Sequence, residues 1–74
     1  MDLVALFGQN IRYYRKMRGL TQEELALSVA MERSYVSDVE RGTRNPSLRA
    51  LGRLAEALEV EPAILLKLPE RSEH

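Results

Sequence analysis

Cysteine is absent from these 74 residues, and aromatic side chains make up only 5% of them. Without thiols the chain can form neither disulfides nor a thiolate metal site. Its single histidine, His74, cannot assemble a metal cluster alone. Long apolar runs are also missing. The longest aliphatic stretch, Ala63-Ile64-Leu65-Leu66, falls far short of the roughly 20 residues that cross a bilayer. The chain opens Met1-Asp2, without the basic start of a secretory signal, so no membrane span and a cytoplasmic location are expected. There is no glycine-rich phosphate loop, no nucleophile–base pair and no group of metal ligands. No catalytic residue, metal or cofactor is therefore expected, and no small-molecule ligand is evident.

Seventy-four residues support one domain with a small core. Domains of this size are marginal unless stapled, and oligomerisation is the common staple left to this one. Formal net charge is zero, which by itself does not suggest an anionic partner. The charges are unevenly placed, however. Residues 1–53 hold 9 Lys/Arg against 6 Asp/Glu, whereas residues 54–74 hold 2 against 5. That asymmetry predicts a cationic face and a separate acidic end.

No stretch alternates with the period of two that marks strands; apolar residues recur at helical spacing. The pattern predicts an all-α fold of five helices over residues 1–69, followed by a charged, frayed tail at 70–74. Leu3, Phe7, Ile11 and Tyr14 share one face of the first helix, which ends near Arg18-Gly19. Gly8 inside it reads as a weak point, costing about 1 kcal/mol relative to alanine. Thr21-Gln22-Glu23-Glu24 is a capping box opening a second helix, whose Leu25, Ala26 and Val29 face inward. A third helix at 33–41 turns Val36 and Val39 inward and stops at Arg41-Gly42. Residues 42–46 read as a loop. Ser47 caps a fourth helix with Leu48, Leu51, Leu54, Ala55 and Leu58 as its apolar stripe. Pro62 opens a fifth, which runs to Leu68 and is closed by Pro69.

Helices at 22–29 and 33–41, joined by three residues, must cross steeply, and small or β-branched residues suit their contact. Once the inward positions are assigned, the third helix turns Arg33, Ser34, Ser37, Asp38 and Arg41 outward. Such short or hydrogen-bonding side chains are what a helix in a DNA major groove presents.

The spacing of Arg18-Gly19-Leu20-Thr21-Gln22-Glu23-Glu24-Leu25-Ala26, Ser34-Tyr35-Val36-Ser37, Glu40-Arg41-Gly42, Asn45-Pro46-Ser47 and Leu54-Ala55-Glu56-Ala57-Leu58 resembles the Cro/CI (XRE) family of phage-repressor-like helix-turn-helix proteins. The likeness runs over about residues 8–68. Arg33-Ser34-Tyr35-Val36-Ser37 and Arg41-Gly42-Thr43-Arg44-Asn45 are most similar to the controller proteins of restriction–modification systems. The resemblance implies sequence-dependent binding of double-stranded DNA and places Gln22 against a phosphate. Arg33 can pair with guanine O6 and N7, and Ser34 and Ser37 can make short contacts to base edges. Asp38 can accept from cytosine N4, or it can hold an arginine in place. Tyr35 meets the backbone or a thymine methyl, and Arg41, Arg44 and Asn45 act as phosphate clamps. Arg49 and Arg53 are expected to face solvent. The resemblance also pairs Arg15 with Glu40 as an enclosed structural ion pair. One departure stands out: Ala30 occupies the turn where the family has glycine. Either the strain is accepted or the turn differs.

One recognition helix reads only a few base pairs, so a homodimer on a pseudo-palindromic operator is expected. Its half-sites would lie about 34 Å apart. Residues 47–68 are the expected dimerisation segment, with Ile64, Leu65 and Leu68 as its contacts; the competing reading places those side chains in the protomer's own core. The alternative function is an antitoxin-type interaction module that also regulates its own operon. That class usually carries a further toxin-wrapping segment.

Overall fold

In the computed structural model residues 1–69 are described, and the expected tail at 70–74 lies outside them. The described residues form four α-helices: α1 (Leu3–Met17), α2 (Gln22–Val29), α3 (Arg33–Arg41) and α4 (Leu48–Leu58). A short 3-10 helix, Pro62–Leu66, follows, and no strand occurs among these residues. The fifth element is thus not the α-helix to Leu68 that the sequence suggested. Leu68 precedes Pro69, and the proline ring disfavours helical backbone in the residue before it. Lys67 is already extended (φ −96°, ψ 138°). The amide of Asn10 also engages this segment, donating to the carbonyls of Leu65 at 2.8 Å and Lys67 at 3.0 Å.

Local chemistry fixes each start. Asp2 Oδ1 accepts from the backbone N–H of Val4 and of Ala5, capping α1, a signal the sequence reading passed over. The Thr21 box closes in both directions, with Glu24 N–H donating to Thr21 Oγ1 at 3.0 Å and Thr21 N–H donating to Glu24 Oε1 at 2.8 Å. Ser47 Oγ accepts from the Ala50 N–H and opens α4. Caps of this kind are each worth about 1 kcal/mol.

Phe7, Ile11, Leu25, Val29, Val36, Val39, Leu54, Leu58 and Leu65 form one buried cluster, with Ala26 and Ala55 at its close contacts. α1 packs on α3, α4 and the 3-10 turn, and α2 packs on α3 and α4. Two leucines assigned to inward stripes lie outside. Leu3 is 53% exposed and Leu48 is 83% exposed. Each is the first residue of its helix, and both line the same edge of the domain.

Gly8 is the substantive correction. It is buried where α1 crosses α3, and a Cβ there would press into the carbonyl oxygen of Val39 and stand 3.1 Å from that of Glu40. Glycine allows the two backbones to meet, which outweighs its poor helix propensity. Ala30 resolves the other way. Its φ of 56° and ψ of 44° are left-handed, so this turn keeps the backbone that suits glycine and accepts the strain of a side chain.

Two substitutions should therefore move stability in opposite directions. Gly8→Ala should lower it by about 1–3 kcal/mol or more, because backbone rather than a pliable side chain meets the new methyl. Ala30→Gly should raise it by about 1 kcal/mol. Urea denaturation reads both, and a Gly8→Ala chain as stable as the parent would contradict the close crossing.

Candidate nucleic-acid interface

α3 lies across α1 and α2 with Val36 and Val39 beneath it, which fixes what it turns outward. Arg33 and Ser34, in its first turn, are exposed. Ser37 and Asp38 are half-buried, and each engages Arg41 at the end of the same helix. Arg41 Nη1 donates to Ser37 Oγ at 2.7 Å, and Arg41 Nη2 pairs with Asp38 Oδ1. Of the two sequence-based roles for Asp38, the structure displays the second, an arginine held in place.

The loop after α3 continues the cationic surface. The Arg44 guanidinium lies over the half-buried Tyr35 ring, 4.9 Å from its centroid, a cation–π contact that holds a long side chain near the reading helix. Asn45 is exposed beside it in sequence, and Thr43 folds back, its N–H donating to the Asp38 carbonyl at 3.0 Å. Gln22 stands at the start of α2 but is not simply turned to solvent. Its Nε2 donates to Glu40 Oε1 at 3.0 Å, leaving one amide hydrogen for an outside acceptor.

Beneath this surface lies the ion pair. Arg15 Nε donates to Glu40 Oε2 at 2.6 Å and Nη2 donates to Oε1 at 3.0 Å, a two-point fork. The remaining arm, Nη1, donates to the Leu20 carbonyl at 2.7 Å. The two side chains are 9% and 3% exposed, so both charges have been removed from water. Such a pair holds only when its hydrogen bonds are complete, and no buried side-chain polar atom among the described residues is left without a partner.

Several supports escaped the sequence reading. Arg53, exposed as expected, also donates to the Val29 carbonyl and so satisfies the end of α2, where Ala30 turns. Arg18 of the first helix's C-cap pairs with Glu59, the C-cap of α4, at 3.1 Å. Asn10 sits in the apolar stripe between Phe7 and Ile11, and an amide at a core position was the available signal.

The expected dimer contacts separate. Leu65 is fully enclosed in the protomer's own core, so it is not surface available to a second copy. It fills the space between α1 and α4 because the tighter 3-10 geometry turns it inward. Ile64 is half-buried against that core, and Leu68 is 57% exposed. A groove of about 190 Å³, lined mainly by Leu3, Val4, Phe7, Leu48, Leu51 and Leu66, lies alongside.

A pair of short helices crossing through small residues, the second turned outward and locked from behind, is a helix-turn-helix. The Helix-turn-helix family model matches residues 11–65, and the chain belongs to this XRE-type family of DNA-binding transcription regulators, which is not a class of enzymes. It is 45% identical over 66 residues to the control protein C.BamHI of Bacillus amyloliquefaciens, covering 88% of this chain and 82% of that one. The crystal structure of the restriction–modification controller protein C.AhdI from Aeromonas hydrophila superposes with a TM-score of 0.81 at 48% identity, over 84% of this chain and 94% of that one. The controller protein C.Esp1396I, solved as a tetramer with its natural 35-base-pair operator, matches with a TM-score of 0.80 at 31% identity, over 88% and 86%. No helix among the described residues is long and apolar enough to cross a membrane.

Removing Glu40 as an acceptor should strand Arg15 in a closed site. Glu40→Ala is expected to lose roughly 3–5 kcal/mol of stability. Gln22→Ala, which removes a single donor to Glu40, should lose only about 1 kcal/mol. Chemical denaturation of both variants measures this, and equal losses would show that the fork is not the principal contact.

Proposed function

We propose that this chain is a transcription regulator that binds a pseudo-palindromic operator as a homodimer in the cytoplasm, in the manner of a restriction–modification controller protein. The observation that carries this reading is the outward face of α3. Arg33 and Ser34 project from the helix end where base contacts cluster, while Val36, Val39 and the Arg15–Glu40 pair fix the helix from behind. The relatives support it, since C.BamHI and C.AhdI are controller proteins and C.Esp1396I is solved on its operator.

Arg33 is the principal reader, because its two guanidinium arms match guanine O6 and N7. Ser34 makes short contacts beside it. Arg44, steadied on Tyr35, and Asn45 clamp phosphates after the helix, and the free amide hydrogen of Gln22 meets a phosphate before it. Phosphate contacts position the protein, whereas base contacts select the sequence. A second copy covers the apolar edge, with Leu68 and the outer face of Ile64 joined by Leu48 and Leu66 in place of Leu65. Exposed Leu3, Leu48 and Leu66, which line one groove of so small a domain, support that interface.

Two measurements test the division of labour. Arg33→Ala should cost roughly 1–3 kcal/mol on the preferred duplex and relax preference at one base pair. Arg44→Ala should weaken all duplexes alike and reduce the slope of log affinity against log salt by about 1. Should the two variants behave identically, readers and clamps are not distinct. For the interface, Leu48→Glu and Leu68→Glu leave the core intact, and each should shift sedimentation toward monomer. A dimer undisturbed by either charge would refute this placement.

A further inference from the structure

Arg41 is the last residue of α3, yet its charge is not delivered there. Side chains on a helix lean toward its N-terminus, and Arg41 folds back over the preceding turn. Two groups hold it: Ser37 Oγ accepts from Nη1 at 2.7 Å, and the Asp38 carboxylate pairs with Nη2. Residues 33, 37 and 41 follow one another at four-residue spacing, so the grip draws the guanidinium along the row that begins with Arg33. The side chain remains 60% exposed, and two of its five N–H donors are engaged, leaving three to face outward.

Such a pair does little for the fold. Exposed partners one helical turn apart contribute almost nothing to stability. Nor does an unpaired carboxylate belong on a helix that enters a groove lined by phosphates. Asp38 is 30% exposed at its side chain and would repel that backbone if it stood alone. Paired, the two residues present no net charge and one oriented set of donors.

We propose that Asp38 and Ser37 are positioning residues that convert Arg41 from a free phosphate clamp into a fixed, charge-neutralised base reader, thereby suppressing non-specific DNA binding. This rests on the DNA-binding reading above and refines it. Asp38 contacts no base itself and acts only through Arg41. Its carboxylate cancels the charge that would otherwise attach Arg41 to any phosphate, and its grip leaves donors aimed at base edges. Discrimination then rises while general affinity falls.

The two effects have opposite signs, which a merely structural residue would not produce. Asp38→Ala should bind duplexes of unrelated sequence more tightly, with the log–log salt slope steeper by about 0.9 for the phosphate that Arg41 then reaches. The same variant should lose about tenfold in discrimination between preferred and unrelated duplexes. Asp38→Asn, which preserves size without charge, should steepen the slope similarly. Arg41→Ala should lose the same discrimination, and adding Asp38→Ala to it should cause no further loss of preference.

Fluorescence anisotropy across a salt series, with duplexes selected by the parent protein and scrambled controls, reads the four variants beside the parent. Circular dichroism confirms that each retains its helix content. Additive losses in the double variant would overturn the proposal, as would an Asp38→Ala chain with unaltered slope and preference. A parent chain without preference for any duplex would instead remove the DNA-binding reading, and this proposal with it.

Discussion

Arg15 joins three parts of the chain through one guanidinium. Two of its nitrogens grip Glu40 near the end of α3, and the third donates to the Leu20 carbonyl in the turn before α2. Gln22, in the first turn of α2, completes the carboxylate's set of donors. First, second and third helices are therefore bound to one buried point, and the angle at which α3 faces outward follows from it. An apolar contact of similar volume could supply equal stability, since desolvating two charges consumes much of their attraction. It would not supply direction. A two-point fork tolerates little rotation, and a reading helix that rotates loses its register on the bases.

The α1–α3 crossing adds the second constraint on that angle. Gly8 lets the α1 backbone approach the Val39 and Glu40 carbonyls, one residue from and at the very position of the fork's acceptor. Close backbone approach and a directional ion pair thus act at one crossing. The turn at Ala30 is held less economically, with a left-handed alanine rather than glycine. Its strain is contained because Arg53 of α4 donates to the Val29 carbonyl just before it.

Much of this was legible from the residues alone, and the pattern of what was not has physical causes. The capping box at Thr21, the Ser47 cap and the inward Val36 and Val39 all follow from local rules, in which nearby residues decide the outcome. Arg15–Glu40 was legible only through family resemblance, because a contact spanning 25 positions leaves no periodic trace. Gly8 was misjudged for the same reason: propensity measures what a helix prefers alone, not which backbone will cross it. Leu65 and Leu48 exchanged roles, Leu48 because it is the first residue of α4 and Leu65 because its seating depends on the last element being a 3-10 turn. That choice reflects Pro69 and Asn10, the second of them 55 residues away from Leu65. At the candidate interface the identities of Arg33, Ser37, Asp38 and Arg41 could be read, and an arginine held by Asp38 was one of two open roles, but neither which arginine nor the share of Ser37 in holding it was legible.

These contacts converge on α1, none of whose residues is among the proposed operator contacts. Through Gly8 and Arg15 it sets the tilt of α3. Through Asn10 it holds the carbonyls of Leu65 and Lys67, and Leu3 at its N-terminal end contributes to the apolar edge. In the homodimer proposed above, the spacing between two reading helices is therefore transmitted through a single rigid rod in each protomer. A rod can carry that spacing because its own contacts are satisfied at both ends: Asp2 closes its first turn, and the Arg18 N–H and Gly19 N–H close its last. Flexibility at either end would blur the half-site distance even if every base-reading side chain were retained. The helix packed directly behind the reading helix is thus the one on which the geometry of recognition most depends.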